Sequence, residues 1–134
     1  MKVMIVDDDR IFAEELAVML RHAGYEVVCY HDSVSAVNRA EGEKPDAILL
    51  DIRMDHLNGF QAAFHLRKFQ ATAAVPIIGI SGHCAGDESG LAVTRYGMNA
   101  FLQKPFYPWE VITLLEQLTG GVVSDMPQRA AGRS

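Results

Sequence analysis

The sequence predicts an α/β fold in which five parallel strands form one doubly wound sheet with helices on both faces. Three observations carry this. Five short apolar runs recur along the chain, helix-period stretches separate them, and the first, third and fourth runs are nearly continuous in Val, Ile, Leu and Met. Continuous rather than alternating apolar character marks strands covered on both sides, as in a parallel sheet. Right-handed crossovers then wind the helices onto both faces, and a ligand site belongs beyond the carboxyl ends of the strands.

The first strand is Lys2 to Val6 (KVMIV). In the helix that follows, Ile11, Phe12, Leu16, Met19 and Leu20 recur near helical spacing, and Gly24 is placed to close it. Glu26 to Tyr30 (EVVCY) is the second strand, after which Asp32 or Ser33 caps a second helix running to about Glu41. Residues 46–50 (DAILL) make the third strand, and Phe60, Ala63, Phe64 and Leu66 mark the third helix. Residues 76–80 (PIIGI) make the fourth strand, with a helix over 87–96 that ends at Gly97. Ala100 to Gln103 (AFLQ) is the fifth strand. The last helix opens on Pro108, tolerated where the missing N–H would have no helical partner, and continues through Val111, Ile112, Leu114, Leu115 and Leu118. Trp109, near the same spacing, reads as core.

Beyond Leu118 the periodicity stops. Residues 1–119 are therefore expected to form one domain, and residues 120–134, with their glycines and two arginines, a flexible C-terminal tail or linker stump. A chain of 134 residues suits a single domain. Seventeen acidic residues against twelve basic ones give a net charge of -5, the opposite of the basic footprint that nucleic acid selects. No direct nucleic-acid binding is expected. Neither a signal peptide nor a spanning run of about eighteen apolar residues is visible, so the expected location is the cytoplasm, away from the membrane. Cys29 and Cys84, far apart and without CxxC spacing, suit a reducing compartment.

The expected strand ends carry a distinctive set: Asp7, Asp8 and Asp9 after the first, Asp51 after the third, Ser81 after the fourth, and Lys104 and Pro105 after the fifth. Like charges about 4 Å apart repel by about 4 kcal/mol at an effective dielectric near 20. A hard cation relieves that, and Mg²⁺ takes oxygen ligands from one or two carboxylates plus water and phosphate oxygens. Mg²⁺, an ammonium and a hydroxyl around a carboxylate are what a transferring phosphoryl group needs, its charge being spread over three oxygens. Asp51, set apart from the acidic run, is the candidate nucleophile. Mg²⁺ would be held by Asp8, Asp51 and a loop carbonyl, with Asp7 through water, while Lys104 and Ser81 bind the phosphoryl group. Singly, each piece has a plainer reading: an Asp run caps helices, and Asp9 is read as that. Their concurrence at four strand ends is what points to chemistry.

Over residues 2–118 these motifs resemble the response-regulator receiver domain of two-component signalling. MIVDDD at 4–9, ILLDIRM at 48–54, Gly59, PIIGISG at 76–82 and LQKPF at 102–106 carry the resemblance. It implies a (βα)₅ flavodoxin-like fold and phosphorylation of Asp51 by a sensor histidine kinase or a histidine phosphotransfer protein. It also implies Mg²⁺ on Asp8, Asp51 and the main-chain carbonyl of Arg53, and a cis bond between Lys104 and Pro105. In the family the strand-four hydroxyl moves inward on phosphorylation and a strand-five aromatic follows, to control an output partner or domain. Here these are Ser81 and Phe101, the latter without a hydroxyl. A phosphorylation-dependent homodimer is a further expectation. The protein would be a regulatory phosphoacceptor that assists its own phosphorylation and dephosphorylation.

Three departures stand out: Asp55 where the family usually has Pro, Gly82 where it has mostly Ala, and Tyr107 in place of an acidic cap before Pro108. Gly82 is expected to permit close approach, and Tyr107 to weaken its helix end. Arg53 and His83, two residues beyond Asp51 and Ser81, are expected to set the lifetime of the acyl phosphate. His22, His31, His56 and His65 read as surface or helix-end groups, and Cys84 has no partner to activate it. Two competing readings remain: a haloacid-dehalogenase-like phosphatase with Asp7 as nucleophile and Asp9 as acid and base, and a receiver-fold binding module that works without phosphorylation.

Overall fold

The computed structural model describes residues 1–53, 58–82 and 97–120. Strands β1 (Lys2–Val6), β2 (Glu26–Tyr30), β3 (Ala47–Asp51), β4 (Ile77–Ser81) and β5 (Ala100–Gln103) form one sheet in the order β2-β1-β3-β4-β5, every neighbouring pair parallel. Helices α1 (Arg10–His22), α2 (Ser33–Glu43), α3 (Gly59–Leu66) and α4 (Pro108–Thr119) accompany it. The helix expected over 87–96 and the tail from 121 lie outside the described residues.

The continuous apolar runs are buried on both faces, as their composition requires. Met4, Val6, Ile48, Leu50 and Ile77 point to one side, where Ala36, Val37 and Ala40 of α2 and Ala62, Ala63 and Leu66 of α3 cover them. Val3, Ile5, Leu49, Ile78 and Ile80 point to the other, under Ala13, Leu16, Ala17 and Leu20 of α1 and Val111 and Leu115 of α4. The sheet is thus doubly wound. Among the described residues no helix is long and apolar enough to cross a membrane.

Several sequence expectations need correction. Strands β3 and β4 each run one residue later than predicted, because polar Asp51 and Ser81 still pair, with Ile80 and Gln103 respectively. The buried faces of α1 and α3 are built largely from alanine, so Ile11, Met19 and Phe64 turn to solvent. Trp109 is not core: it is 63% exposed and stacks on Tyr107 with ring centres 6.2 Å apart. The start of α4 is better capped than expected, since the Glu110 carboxylate accepts the Tyr107 amide at 2.8 Å. Asp32 rather than Ser33 caps α2, accepting from the Ser35 amide at 2.7 Å.

Parallel pairing in register brings all the strand carboxyl ends to one edge. Val6 lies opposite both Tyr30 and Leu50, Asp51 opposite Ile80, and Ser81 opposite Gln103. The segments that leave β1, β3, β4 and β5 therefore emerge side by side. Far from that edge, the half-buried Arg67 guanidinium donates to the carbonyls of Thr72, Ala73, Val75 and Gly97 and to Asn99 Oδ1, tying the approaches to β4 and β5 together.

Candidate functional site

The three aspartates after β1 take three different positions. Asp7 is 1% exposed, fixed by its own amide on the Tyr30 carbonyl at 3.0 Å. Asp8 stands exposed at the rim. Asp9 is the N-cap of α1, accepting from the Phe12 amide at 3.1 Å, and its own amide donates to Asp7 Oδ1 at 2.9 Å. The capping turn thus orients the buried carboxylate beside it.

Asp51 closes β3 at 5% exposure, and its Oδ1 accepts the Arg53 amide at 3.0 Å. One carboxylate oxygen from each of Asp7, Asp8 and Asp51 lies within 4.8 Å of the others. Lys104 Nζ donates to Asp7 Oδ2 at 3.0 Å. The loop that carries it is held by the Lys104 amide on the Ser81 carbonyl at 2.8 Å, and the Lys104–Pro105 bond is cis. Ser81 itself is fully buried. Burial pushes the Asp51 carboxyl up to about 7; the Arg53 amide opposes this, the Asp7 charge adds to it, and the Lys104 ammonium opposes it again.

Among the described residues three carboxylates against one ammonium leave an excess of negative charge, with Asp7 and Asp51 buried and Asp8 open to solvent. Their donor atoms are all oxygens, the set a hard divalent cation takes. The residues present therefore fit Mg²⁺. The structure brings together Asp7, Asp8, Asp51 and Lys104, with Arg53 bonded to Asp51 and Ser81 to the Lys104 loop. Phe101 lies two pairs down the sheet from Ser81 and Gln103, its ring over Gly79, where an added Cβ would fall 2.9 Å from the ring. His83, Asp55, His56 and Cys84 lie outside the described residues.

Sequence reasoning missed three neighbours. His31, expected at the surface, is half-buried, with Nδ1 3.1 Å from the Asp7 carbonyl. The Phe12 ring lies under the Lys104 ammonium, 4.0 Å from centroid to Nζ. Gly59, known only as a motif residue, proves to be required by contact: a Cβ there would stand 2.4 Å from the Ile52 Cα. Gly82 shows the reverse: among the described residues nothing lies within 4 Å of an added Cβ, and none of them demands a glycine there.

A five-stranded 2-1-3-4-5 parallel sheet with clustered carboxylates and a lysine at its carboxyl edge defines a doubly wound α/β domain with its candidate site beyond the strand ends. The response regulator receiver domain family matches residues 3–116, and the chain belongs to it. Response regulator MprA of Mycobacterium avium (strain 104) is 31% identical over 118 residues, 88% of this chain and 50% of that protein. Protein PilH of Pseudomonas aeruginosa is 40% identical over 77 residues, covering 58% of this chain and 64% of its own. Among solved structures, the receiver domain of a Pseudomonas aeruginosa PAO1 sensor histidine kinase, with a magnesium ion coordinated in its active-site cleft, superposes with a TM-score of 0.81. It is 31% identical and covers 89% of this chain and 97% of its own. Chemotaxis protein CheY4 of Vibrio cholerae gives a TM-score of 0.82 at 26% identity, covering 87% and 97%.

The chain spans about half the length of the first curated relatives it matches. The doubly wound, five-stranded flavodoxin-like architecture and the two-component receiver assignment both stand, and the phosphatase reading is not favoured. Receiver domains are regulatory phosphoacceptors that work with histidine kinases and output partners.

Proposed function

We propose that Asp51 is the phosphoacceptor of this receiver. The observation that carries the reading is a buried carboxylate at a strand end, sharing a 4.8 Å oxygen cluster with Asp7 and Asp8, beside the Lys104 ammonium that Asp7 holds. Asp8, Asp51 and the Arg53 main-chain carbonyl, with Asp7 through water, would hold Mg²⁺. When bound, the ion neutralises the carboxylates and the phosphoryl oxygens.

Asp51 then attacks phosphorus in line. The new bond joins its carboxylate oxygen to phosphorus as the bond from phosphorus to the donor breaks, and the leaving imidazole or acetate takes that electron pair. Lys104 donates to one phosphoryl oxygen and Ser81 to another, replacing water at the charge that develops. The Ser81 hydroxyl moving inward gives Phe101 a new packing position, and this is the switch an output partner or domain reads. The donor is a sensor histidine kinase or a histidine phosphotransfer protein, the location cytoplasmic, and a phosphorylation-dependent homodimer one route to output. Residues 1–119 form the receiver unit and 120–134 its tail or linker.

Incubation with acetyl phosphate, followed by intact mass, tests the assignment. One added phosphoryl group is expected on the wild type with Mg²⁺, and none without Mg²⁺ or in Asp51→Asn. An unmodified wild type, under conditions that label another receiver, would sink the reading and favour a module that binds without phosphorylation. Arg53 and His83 set how water reaches the acyl phosphate. Arg53→Ala and His83→Ala are each expected to change the dephosphorylation rate by about threefold or more, and unchanged rates would dismiss that role.

A further inference from the structure

Lys104 is held between two groups of different kinds. Its Nζ donates to Asp7 Oδ2 at 3.0 Å and stands 4.0 Å from the centre of the Phe12 ring. That is well inside the roughly 6 Å over which an aromatic face attracts a cation. The lysine side chain is 22% exposed, so it is only partly hydrated there.

Phe12 is itself fixed. It lies in the first turn of α1, where its own amide is the donor to the Asp9 cap at 3.1 Å. Its ring meets Phe106 edge-on, with centres 5.7 Å apart and planes at 89°. Phe106 follows Lys104 by two residues, so the loop that delivers the ammonium also supplies the aromatic edge orienting the ring beneath it.

The two contacts differ in what they demand of the ammonium. The Asp7 bond occupies one of its three N–H donors and has a direction. A ring face attracts the charge without consuming a donor, so the ammonium can turn while the attraction persists. Phosphoryl transfer needs that freedom, because Lys104 must leave Asp7 for a phosphoryl oxygen. Leucine could match the apolar packing of Phe12 against α1 and Phe106, but it has no face for a cation.

We propose that Phe12 is a positioning residue for Lys104, its ring face holding the ammonium beside the acidic cluster while it pivots from Asp7 to the phosphoryl oxygens. This rests on the phosphoacceptor reading of the same site.

The test replaces Phe12 in the full chain with phenylalanines carrying one, two and three ring fluorines, which drain the ring quadrupole with little change in shape, and with Leu and Tyr. The Mg²⁺-dependent rate of phosphoryl uptake from acetyl phosphate is expected to fall stepwise along the fluorine series. The loss should reach about three- to tenfold in Phe12→Leu, with Phe12→Tyr close to wild type. Without any donor, the Lys104 ε-methylene protons should show an upfield ring-current shift in NMR spectra that Phe12→Leu removes. A wild type that labels normally while the fluorine series stays flat would overturn this inference alone. A wild type that never labels would overturn the phosphoacceptor reading and the pivot with it.

Discussion

Without divalent cations, the wild type is expected to lose stability as pH rises from about 4 to about 7, and Asp51→Asn is expected to abolish that loss. Burial raises the Asp51 carboxyl from its ordinary 3.8 to about 7 in the folded protein. Between those two values the unfolded chain has released the Asp51 proton and the folded one still holds it. The native state binds more protons, so unfolding becomes easier with each step upward in pH. Below about pH 4 both states hold the proton, and above about pH 7 neither does; the deficit is therefore absent at the acid end and complete at the alkaline end. On the order of 2–4 kcal/mol is at stake. Asparagine keeps the shape and removes the charge, so its gain over wild type should be small at pH 4.5 and several degrees in melting temperature at pH 8. Mg²⁺ should narrow the gap by stabilising only the ionised wild type. Thermal melts at both pH values, with and without Mg²⁺, check this; an equal gap at both would mean that Asp51 ionises in the fold as it does in water.

That carboxylate was legible in the sequence, and so were Asp7, Ser81 and Lys104, because each sits where an apolar run stops. Strand period locates such ends to within a residue, and β3 and β4 missed by one because backbone pairing continues through polar side chains that hydropathy treats as terminators. Helix faces were less legible. Ala13, Ala17, Ala62 and Ala63 are the residues pressed on the sheet, since small side chains let a helix approach closely, whereas larger Ile11, Met19 and Phe64 remain outside. Trp109 went the same way: at the second position of α4 it faces Tyr107 rather than the sheet. The contacts around the site that depend on distant partners left no local trace. Phe12 meets Lys104 from the far end of the sequence, and His31 reaches a main-chain carbonyl, which no residue pattern encodes.

Gly59→Ala is expected to cost about 3 kcal/mol or more, at the upper end of what overpacking one methyl group does. Gly59 opens α3, and the helix start is pressed against the end of β3: an added Cβ would stand 2.4 Å from the Ile52 Cα and 2.6 Å from the Asp51 carbonyl oxygen. Both are backbone atoms, so no side-chain rotation can relieve the clash. The Gly59 amide also donates to the Ile52 carbonyl at 3.2 Å, fixing the approach from the other direction. Either α3 lifts from the sheet or the end of β3 moves, and Asp51 is carried on that end. Stability and phosphoryl uptake should therefore fall together, the uptake deficit persisting at temperatures where the variant is still folded. Gly82→Ala provides the contrast. It adjoins the site residue Ser81 in sequence, yet among the described residues nothing stands within 4 Å of its added Cβ, so its stability should stay within about 0.5 kcal/mol of wild type. Urea denaturation of both variants, alongside their acetyl phosphate labelling rates, separates a steric requirement at Gly59 from a general intolerance of substitution around the site. A Gly59→Ala protein as stable and as active as wild type would show that β3 and α3 do not meet this closely.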